Sequence, residues 1–419
     1  METKRTNRLK SAALVGKAVD AFYAELRRAP QEGKKVAFCD GYPLPFPILR
    51  AMDIAYMYGD AYSAMVAARH VEKRLQDIAE ERGYLREVCS YTRNAMGCSL
   101  FPQEEAAAAG SNPLWSMPRA DFVVVADPGC SMLVNWGDDE RRRFQVPMFV
   151  IQVPNLWEDA DFDDAVAETV RQLREFVSFL EDLTGKRLDW ERLKRIMAMV
   201  KEASILRKDA MELCRVRPAP ATFFDWAVSL GGINYLLGKP EGIEVYEKLG
   251  AEVRERAARK EGAVVGEKYR LYWDGIMCWP KLGVLADKFA SLGACVVAGR
   301  YTHLGFYNEP EKIDPDRPLE SMAANAVAAH PNHNLEWLIE SITRLCREYS
   351  IDALVFHATH TCRPLAAPQL QIADGVAQRL GIPATFFEAD MADESFYSEA
   401  QVDTRIRALV ESLAARKRV

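Results

Sequence analysis

Short apolar runs alternate along the chain with longer segments in which apolar residues recur every three or four positions. A run of four to eight mostly β-branched or aromatic residues is typical of a buried strand, whereas the longer amphipathic pattern is typical of a helix. Several of the short runs stop abruptly at Gly, Pro or Asp, as strands do where they enter loops. The pattern predicts eight strands, at 34–39, 52–58, 121–126, 146–153, 269–273, 294–298, 351–356 and 384–388.

Helical periodicity fills the intervals between these strands. It predicts a long, charged helical region that starts at 161, is broken by Pro218 and Pro220, and continues to about 259. Strands that alternate with helices favour parallel sheets, so the predicted fold class is α/β. The other predicted helices span 11–30, 61–81, 281–291, 334–348, 367–380 and 398–416.

This alternation occurs twice, on either side of the long helical region. We therefore predict an N-terminal helix (1–30), a first α/β domain (31–160), a helical connecting region (161–265) and a second α/β domain (266–419). The chain has 419 residues, which is more than one ordinary hydrophobic core accommodates, and this length agrees with two domains.

Charge and hydropathy narrow the classes of function. The net charge is −6 and the sequence pI is about 5.7, which argues against nucleic acid as the main partner. No apolar run approaches the roughly 18 residues of a membrane span. The basic residues within 1–10 are not followed by the apolar segment of a secretory signal. We expect a cytoplasmic protein without a membrane partner.

Cysteines are the strongest candidates for chemistry. Cys130 and Cys362 each follow a predicted strand after a turn, and Cys89 lies in a polar segment after a predicted helix. Ligands collect at the carboxyl ends of parallel strands, so thiols there indicate a site. No Cys-x-x-Cys pair occurs, so any metal site must combine distant parts of the chain. The nine cysteines stand at 39, 89, 98, 130, 214, 278, 295, 346 and 362.

Two other interpretations of these thiols remain open on spacing alone. A cysteine is often only a small buried hydrophobe, and we prefer this interpretation for Cys214, Cys295 and Cys346. Cys362 also lies close to His357 and His360, so a Cys-His nucleophile pair is a further alternative. The chain has no phosphate-binding Gly-x-x-x-x-Gly-Lys-Ser/Thr loop and no Gly-x-Gly-x-x-Gly after a strand, so nothing indicates nucleotide binding.

Several motifs together resemble the 2-hydroxyacyl-CoA dehydratase and benzoyl-CoA reductase family, over about residues 30–415. Within that family, the segment 273–280 (Trp-Asp-Gly-Ile-Met-Cys-Trp-Pro) is most similar to the larger substrate-side subunit of ATP-dependent benzoyl-CoA reductase. Thr361 stands where the family's dehydratases usually have Ser, which favours the reductase. The motifs are Cys-Ser-Tyr-Thr-Arg at 89–93, Asp-Pro-Gly-Cys at 127–130, Tyr-Trp-Asp-Gly-Ile at 272–276, His-Thr-Cys-Arg at 360–363, Gly-Ile-Pro at 381–383 and Glu-Ala-Asp at 388–390.

The resemblance implies two flavodoxin-like parallel-sheet domains with additional helices. It implies a [4Fe–4S] cluster in the cleft between them, with Cys89, Cys130 and Cys362 as its ligands. It further implies a paralogous smaller catalytic subunit, an ATP-hydrolysing iron–sulfur activator, ferredoxin as the upstream donor and an acyl-CoA substrate.

The expected reaction is low-potential electron transfer to an aromatic acyl-CoA thioester, with dearomatisation of the ring. The alternatives are a 2-hydroxyacyl-CoA dehydratase subunit, which eliminates water through a ketyl radical, and an electron-relay or scaffold subunit without its own substrate site. We expect His360, Glu388 or Cys278 to donate the proton. The expected substrate-binding residues are Trp273, Trp279 and Arg363.

Overall fold

The computed structural model describes residues 6–41, 44–108, 110–127, 130–158, 161–305 and 308–416. Two positions of the Asp-Pro-Gly-Cys motif, Pro128 and Gly129, lie outside the described residues. The cysteine that ends this motif lies inside them.

Two four-stranded parallel sheets form the centre of the fold, which confirms the predicted α/β class. In the first sheet the strands lie in the order β2-β1-β3-β4, and in the second in the order β6-β5-β7-β8. All eight predicted strands are present, although several are shorter than predicted. They are β1 Val36–Asp40, β2 Ala55–Tyr58, β3 Phe122–Asp127, β4 Met148–Gln152, β5 Tyr269–Asp274, β6 Ala294–Gly299, β7 Ala353–Thr359 and β8 Ala384–Ala389.

Helices cover the sheets and fill the space between them. α7 packs on β3, α8 on β4, α12 on β6 and α17 on β8. The helices are α1 Ala12–Arg28, α2 Phe46–Ala51, α3 Gly59–Ala68, α4 Glu72–Glu81, α5 Ser90–Ser99, α6 Gln103–Ala107, α7 Ser131–Phe144, α8 Phe162–Thr184, α9 Trp190–Glu212, α10 Phe223–Tyr235, α11 Pro240–Ala258, α12 Leu282–Ser291, α13 Pro318–Val327, α14 Leu335–Glu348, α15 Arg363–Ala366, α16 Gln369–Leu380 and α17 Glu399–Arg416.

Two helical predictions were wrong in their extent. The single helix predicted over 61–81 is two helices, α3 and α4, because His70 takes a left-handed conformation with φ of 55° between them. The helical region that begins near 161 likewise breaks at Gly185, which has φ of 67° and ends α8. A left-handed residue cannot continue a right-handed helix, so each break is sharp.

The two sheets repeat one topology: the second strand lies outside the first, and the third and fourth follow on the other side. The strand order therefore reverses between β1 and β3, and again between β5 and β7. Such a switch point leaves a crevice at the carboxyl ends of the strands, where α/β proteins bind ligands. Both crevices are thus defined by topology before any side chain is considered.

Gly275 allows the chain to turn tightly where β5 ends. Its φ is 104°, and a Cβ added there would lie 2.5 Å from the carbonyl oxygen of His357, at the end of β7. Gly41 stands at the corresponding place after β1, with φ of 95° and an added Cβ 2.0 Å from the carbonyl oxygen of Ala126. Only glycine fits such positions, so both loops approach the neighbouring strand closely.

No helix among the described residues is long and apolar enough to cross a membrane.

Candidate active site

Each of the three cysteines predicted as ligands lies immediately before the first residue of a helix. Cys89 precedes α5, Cys130 precedes α7 and Cys362 precedes α15. Each sulfur accepts a hydrogen bond from the backbone N–H three residues further along the chain. The free N–H groups at a helix start favour negative charge, so each position suits a thiolate.

The topology brings two of these cysteines into equivalent positions. Cys130 follows β3 and Cys362 follows β7, which are the third strands of their sheets. The backbone N–H of Cys130 donates to the Asp127 carboxylate (N···Oδ1 2.8 Å), a turn that directs the thiol away from the strand. Cys89 has no strand before it and reaches the site from the start of α5.

One cavity of about 430 Å³ contains all three cysteines in its wall. Residues at or just beyond the carboxyl ends of seven of the eight strands line it, all except β4. Of the nine cysteines, these three are partly exposed and the other six are buried. The lining residues with polar or aromatic side chains are Tyr58, Asp60, Cys89, Tyr91, Thr92, Cys130, Arg300, Tyr301, His330, His333 and Cys362.

The spacing of the three sulfurs does not suit a single metal ion. The three Sγ atoms do not all lie within 4.8 Å of one another, a separation met within the described chain only by His70, Glu72 and Glu394. Thiolates that share one zinc ion bind at about 2.3 Å from it and therefore lie closer together than this. In an iron–sulfur cube each thiolate binds its own iron atom, so a wider spacing is expected.

Burial controls the protonation of these thiols. It raises the pKa of Cys130 to about 11 and that of Cys362 to about 12, and it raises the pKa of Cys89 well above its usual value. Thiols of this kind are protonated and unreactive at neutral pH unless a metal removes the proton. A free nucleophilic thiolate is therefore disfavoured.

The histidines of the alternative Cys-His pair do not lie at the cavity. His357 is fully buried, and its Nδ1 donates to the carbonyl oxygen of Ile276 (2.6 Å). His360 is exposed and stacks on the ring of Phe396, with 4.2 Å between ring centroids. Neither is among the lining residues, so no histidine on β7 serves Cys362 as a base.

Asp60 is the carboxyl group of the cavity wall. It follows β2 directly, and burial raises its pKa to about 7. Its charge acts on all three thiols, since a nearby carboxylate raises the pKa of Cys89, Cys130 and Cys362 alike. A carboxyl group with this pKa can release or accept a proton at neutral pH.

Two tyrosines stand beside Asp60. Tyr91 on α5 and Tyr301 after β6 share a hydrogen bond between their hydroxyl groups, and the indole Nε1 of Trp279 donates to the Tyr91 hydroxyl. Tyr301 begins a single π-helical turn, Tyr301–Gly305, a distortion that is frequent at functional sites. Hydroxyl donors thus line this wall of the cavity.

Arg300 supplies a buried positive charge. Its guanidinium donates to the Asp274 carboxylate (2.7 Å) and to the carbonyl oxygen of Leu365 (2.8 Å) in α15. This charge lowers the pKa of Cys362, although the effect of burial is larger. Arg300 therefore fixes the short helix that Cys362 begins and favours the thiolate there.

A buried chain of hydrogen bonds joins the loops of two cysteines across the two sheets. The Thr361 hydroxyl donates to the Asp390 carboxylate (2.7 Å) and accepts from the backbone N–H of Ser90 (3.0 Å). Thr361 precedes Cys362 and Ser90 follows Cys89, so the Asp390 side chain sets the distance between these loops. In the Glu-Ala-Asp motif it is thus the aspartate that holds the site.

The three residues expected to donate a proton are not in the cavity wall. Glu388 and His360 are exposed on the surface. Cys278 is completely buried, with its pKa raised to about 12 by burial. None of the three lines the cavity, whereas Asp60 does.

The three expected substrate residues also lie outside this wall. Trp273 is fully buried among the aromatic side chains behind β5, and Arg363 is exposed. Trp279 lines a separate apolar cavity of about 230 Å³, whose wall also includes Asp60 and Tyr301. Trp279 therefore reaches the thiol cavity only through its hydrogen bond to Tyr91.

Sequence reasoning missed Asp60, Arg300 and Tyr301, yet a signal for them was present. Asp60 follows β2 and Arg300 follows β6, the equivalent second strands of the two sheets. A polar residue just beyond the end of a predicted strand was weighed for the cysteines and can be weighed in the same way for these residues. His330 and His333, which looked like loop residues, belong to the wall as well.

Fold and cavity together define a class: an α/β protein with two parallel sheets that presents three cysteines to one cavity. The chain belongs to the 2-hydroxyglutaryl-CoA dehydratase, D-component family, whose model matches residues 43–413. The family resemblance of the motifs is thereby confirmed.

Relatives with two kinds of activity match the chain at the same low identity. The (R)-2-hydroxyisocaproyl-CoA dehydratase alpha subunit of Clostridioides difficile is 26% identical over 95% of this chain and 94% of that protein. The (R)-phenyllactyl-CoA dehydratase alpha subunit of Clostridium sporogenes is 25% identical over 93% and 92%. A benzoyl-CoA reductase subunit of Thauera aromatica is 26% identical over 79% and 77%. All three are subunits of enzymes that act on acyl-CoA thioesters.

Proposed function

We propose that this chain is the catalytic subunit of an acyl-CoA enzyme and that Cys89, Cys130 and Cys362 hold a [4Fe–4S] cluster in its cavity. The observation that carries the proposal is the meeting of these three thiols, alone among nine in being partly exposed, in one cavity wall. Their spacing and their N–H donors suit separate iron atoms of one cluster. Such a cluster, when bound, supplies single electrons at low potential.

The cavity suits the acyl end of the substrate. Its volume of about 430 Å³ lies within the usual range for small-ligand sites, so an acyl group with its thioester fits while the nucleotide end of CoA extends outside. Apolar side chains such as Leu133, Ile276 and Met391 exclude water from the wall. Tyr91 and Tyr301 supply hydroxyl donors to an oxygen that gains negative charge.

Asp60 is the group that we assign to proton transfer. With a pKa of about 7 it carries a proton in a large fraction of molecules at neutral pH and can receive that proton back. His360, Glu388 and Cys278 remain alternatives from sequence, but each would need to reach the cavity from outside its wall. The same holds for Trp273, Trp279 and Arg363 as substrate residues.

The net reaction is proposed at two levels. Relatives of both activities favour chemistry on an acyl-CoA thioester, and Thr361 in place of Ser favours a benzoyl-CoA reductase over a 2-hydroxyacyl-CoA dehydratase. Product analysis separates them: the purified complex with ATP and activator forms a cyclic diene from benzoyl-CoA in the first case. It forms an enoyl-CoA from a 2-hydroxyacyl-CoA in the second.

The chain is proposed to work with partners. Its relatives are themselves named as single subunits of their enzymes, which supports a paralogous smaller subunit as the companion of this one. An ATP-hydrolysing iron–sulfur activator, supplied by ferredoxin, would deliver the electron. If this chain is instead a relay or scaffold, a photo-crosslinking CoA thioester labels only the smaller subunit.

Single substitutions of the cysteines test the cluster. Cys89→Ala, Cys130→Ala and Cys362→Ala should each lower the iron and sulfide content of anaerobically purified protein, because each removes one ligand. Cys346→Ala, a buried thiol outside the cavity wall, is the matched control and should retain both. Full iron content and an unchanged electron paramagnetic resonance spectrum in all three variants would contradict the assignment.

Asp60→Asn tests proton transfer separately. Loss of a general acid typically lowers turnover by about 10²–10⁴-fold. Iron content should stay unchanged, since Asp60 is not proposed as a ligand. The control is Asp374→Asn, which removes an exposed carboxylate on α16. Unchanged turnover in Asp60→Asn would remove Asp60 from the mechanism without affecting the cluster proposal.

A further inference from the structure

A second group of metal-ligating side chains lies away from the thiol cavity. His70, Glu72 and Glu394 each offer one ligand atom, and these three atoms lie within 4.8 Å of one another. Within the ranges that the structure describes, no other three His, Cys, Asp or Glu residues come so close. None of the three lines the thiol cavity, so this group is not part of the site already described.

The chain brings these residues together from both sheets. His70 and Glu72 flank the break between α3 and α4, which follow β2 of the first sheet. Glu394 begins the short 3-10 turn Glu394–Phe396, which follows β8 of the second sheet. His70 takes a left-handed conformation with φ of 55°, an uncommon backbone state for a residue other than glycine. It places the imidazole Nδ1 3.2 Å from Oε2 of Glu394.

Glu72 provides the independent sign that a ligand belongs here. Its side chain is buried, with only 5% of the residue exposed, and its Oε2 atom has no hydrogen-bond partner. Burial of a carboxylate without a partner is costly, and it raises the pKa of Glu72 to about 7. The ammonium of Lys281 contacts Oε1 of Glu394 instead.

We propose that His70, Glu72 and Glu394 bind a divalent transition-metal ion of the Mn²⁺ or Zn²⁺ type, which joins the two sheet regions at the surface. One imidazole nitrogen and two carboxylates form a ligand set that such ions prefer. Ca²⁺ and Mg²⁺ favour sites made only of oxygen ligands, and the softer Cu⁺ favours sulfur. Three protein ligands leave the remaining positions of the ion to water.

The charges around the group are compatible with a bound cation. Two carboxylates and the ammonium of Lys281 leave one net negative charge when His70 is neutral. The ion replaces the contact between His70 and Oε2 of Glu394, while Lys281 keeps Oε1. The neighbouring carboxylate of Asp393 is already paired with Arg93 (2.8 Å) and needs no ion.

Binding of Mn²⁺ to the purified full-length protein tests the site directly. The room-temperature electron paramagnetic resonance signal of free Mn²⁺ reports binding, and Mn²⁺ is chosen because it has little affinity for the thiols of the cavity. The expected result is saturation at one ion per chain. His70→Ala and Glu72→Gln should weaken binding by at least about tenfold, as loss of a ligand does.

Two matched controls separate this site from adventitious surface binding. His360→Ala removes another exposed histidine close to the same 3-10 turn, and Glu399→Gln removes a surface carboxylate paired with Lys288. Both controls should bind Mn²⁺ as the unmodified protein does. Equal loss in the controls, no loss in His70→Ala and Glu72→Gln, or the absence of saturable binding would overturn the proposal.

Thermal unfolding provides a second readout that does not depend on the spectroscopic signal. An ion that binds only the folded state raises Tm, so Mn²⁺ should raise the Tm of the unmodified protein and of both controls but not of His70→Ala. Without metal at pH 8, Glu72→Gln should be at least as stable as the unmodified protein, because a buried charge is gone. A lower metal-free Tm of Glu72→Gln would show that the carboxylate is needed for folding alone and would overturn the metal assignment.

Discussion

At the scale of the residue, Glu140 on α7 differs from the surface carboxylates because its side chain is fully buried. One oxygen accepts a hydrogen bond from the Ser99 hydroxyl, and the other has no partner. Burial raises the pKa of Glu140 to about 8. In contrast to Asp60, it lies outside the thiol cavity, so its proton affects stability and not the site.

The protonation of Glu140 predicts how stability depends on pH. Between about pH 4.5 and pH 8 the folded state keeps the proton of Glu140 and the unfolded state releases it. The free energy of unfolding therefore falls as pH rises through this window, by up to about 1.4 kcal/mol per pH unit for this one group. Glu140→Gln should remove this part of the decline and raise stability at pH 8, measured by urea unfolding at pH 5 and pH 8.

A surface variant provides the comparison for this measurement. Asp374→Asn removes an exposed carboxyl group and should leave the pH dependence of unfolding as it is in the unmodified protein. If Glu140→Gln and Asp374→Asn show the same slope between pH 5 and pH 8, the buried carboxyl group does not titrate as argued.

At the scale of the element, strand ends and helix starts place the chemistry. All three cysteines begin helices, and two of them follow the third strand of a sheet. The loops that carry them are fixed by side chains from other elements, as Thr361 and Asp390 show. The same arrangement explains why Asp60 and Arg300, each placed after a second strand, face the same cavity.

The turn after β5 can be tested by a pair of glycine variants. Ala at Gly275 meets the carbonyl oxygen of His357, whereas Ala at Gly266 has open space around its Cβ; both glycines have positive φ. Gly266→Ala should cost about 1 kcal/mol, the cost of a left-handed conformation. Gly275→Ala should cost a further 1–3 kcal/mol or so, because the clash forces the backbone to shift. Chemical denaturation gives both values, and equal losses would contradict the close approach.

At the scale of the whole molecule, buried polar contacts hold the two sheet regions together. The guanidinium of Arg93 on α5 is completely buried and pairs with Asp393, beyond β8, and with Glu80 on α4. The amide of Gln76 on α4 donates to the carbonyl oxygen of Ala392 (2.9 Å). These contacts close the cleft beside the loops of Cys89 and Cys362, so stability and site geometry depend on the same region.

Removal of the Arg93 side chain should therefore destabilise the whole protein. Arg93→Leu leaves the buried Asp393 carboxylate without its main cation, a change that typically costs about 3–5 kcal/mol. Arg82→Leu, at an exposed position next to α4, should change the free energy of unfolding by about 0.5 kcal/mol or less. The double variant Arg93→Leu/Asp393→Leu should regain part of the loss, since no buried charge is left alone. Equal midpoints of urea unfolding for Arg93→Leu and Arg82→Leu would show that the pair contributes little.

The sequence by itself determined the eight strands, the α/β class and the three cysteines to examine. Strands buried on both faces are continuous apolar runs, and this signal is local, so it survives without tertiary information. The helix breaks at His70 and Gly185 escaped detection, because a single left-handed residue hardly alters an amphipathic pattern. Only the tertiary structure decided which polar side chains share a cavity: it excluded His357, His360 and Glu388 and introduced Asp60, Arg300 and Tyr301. The physical reason is that burial and proximity depend on packing between distant elements, which no short stretch of sequence records.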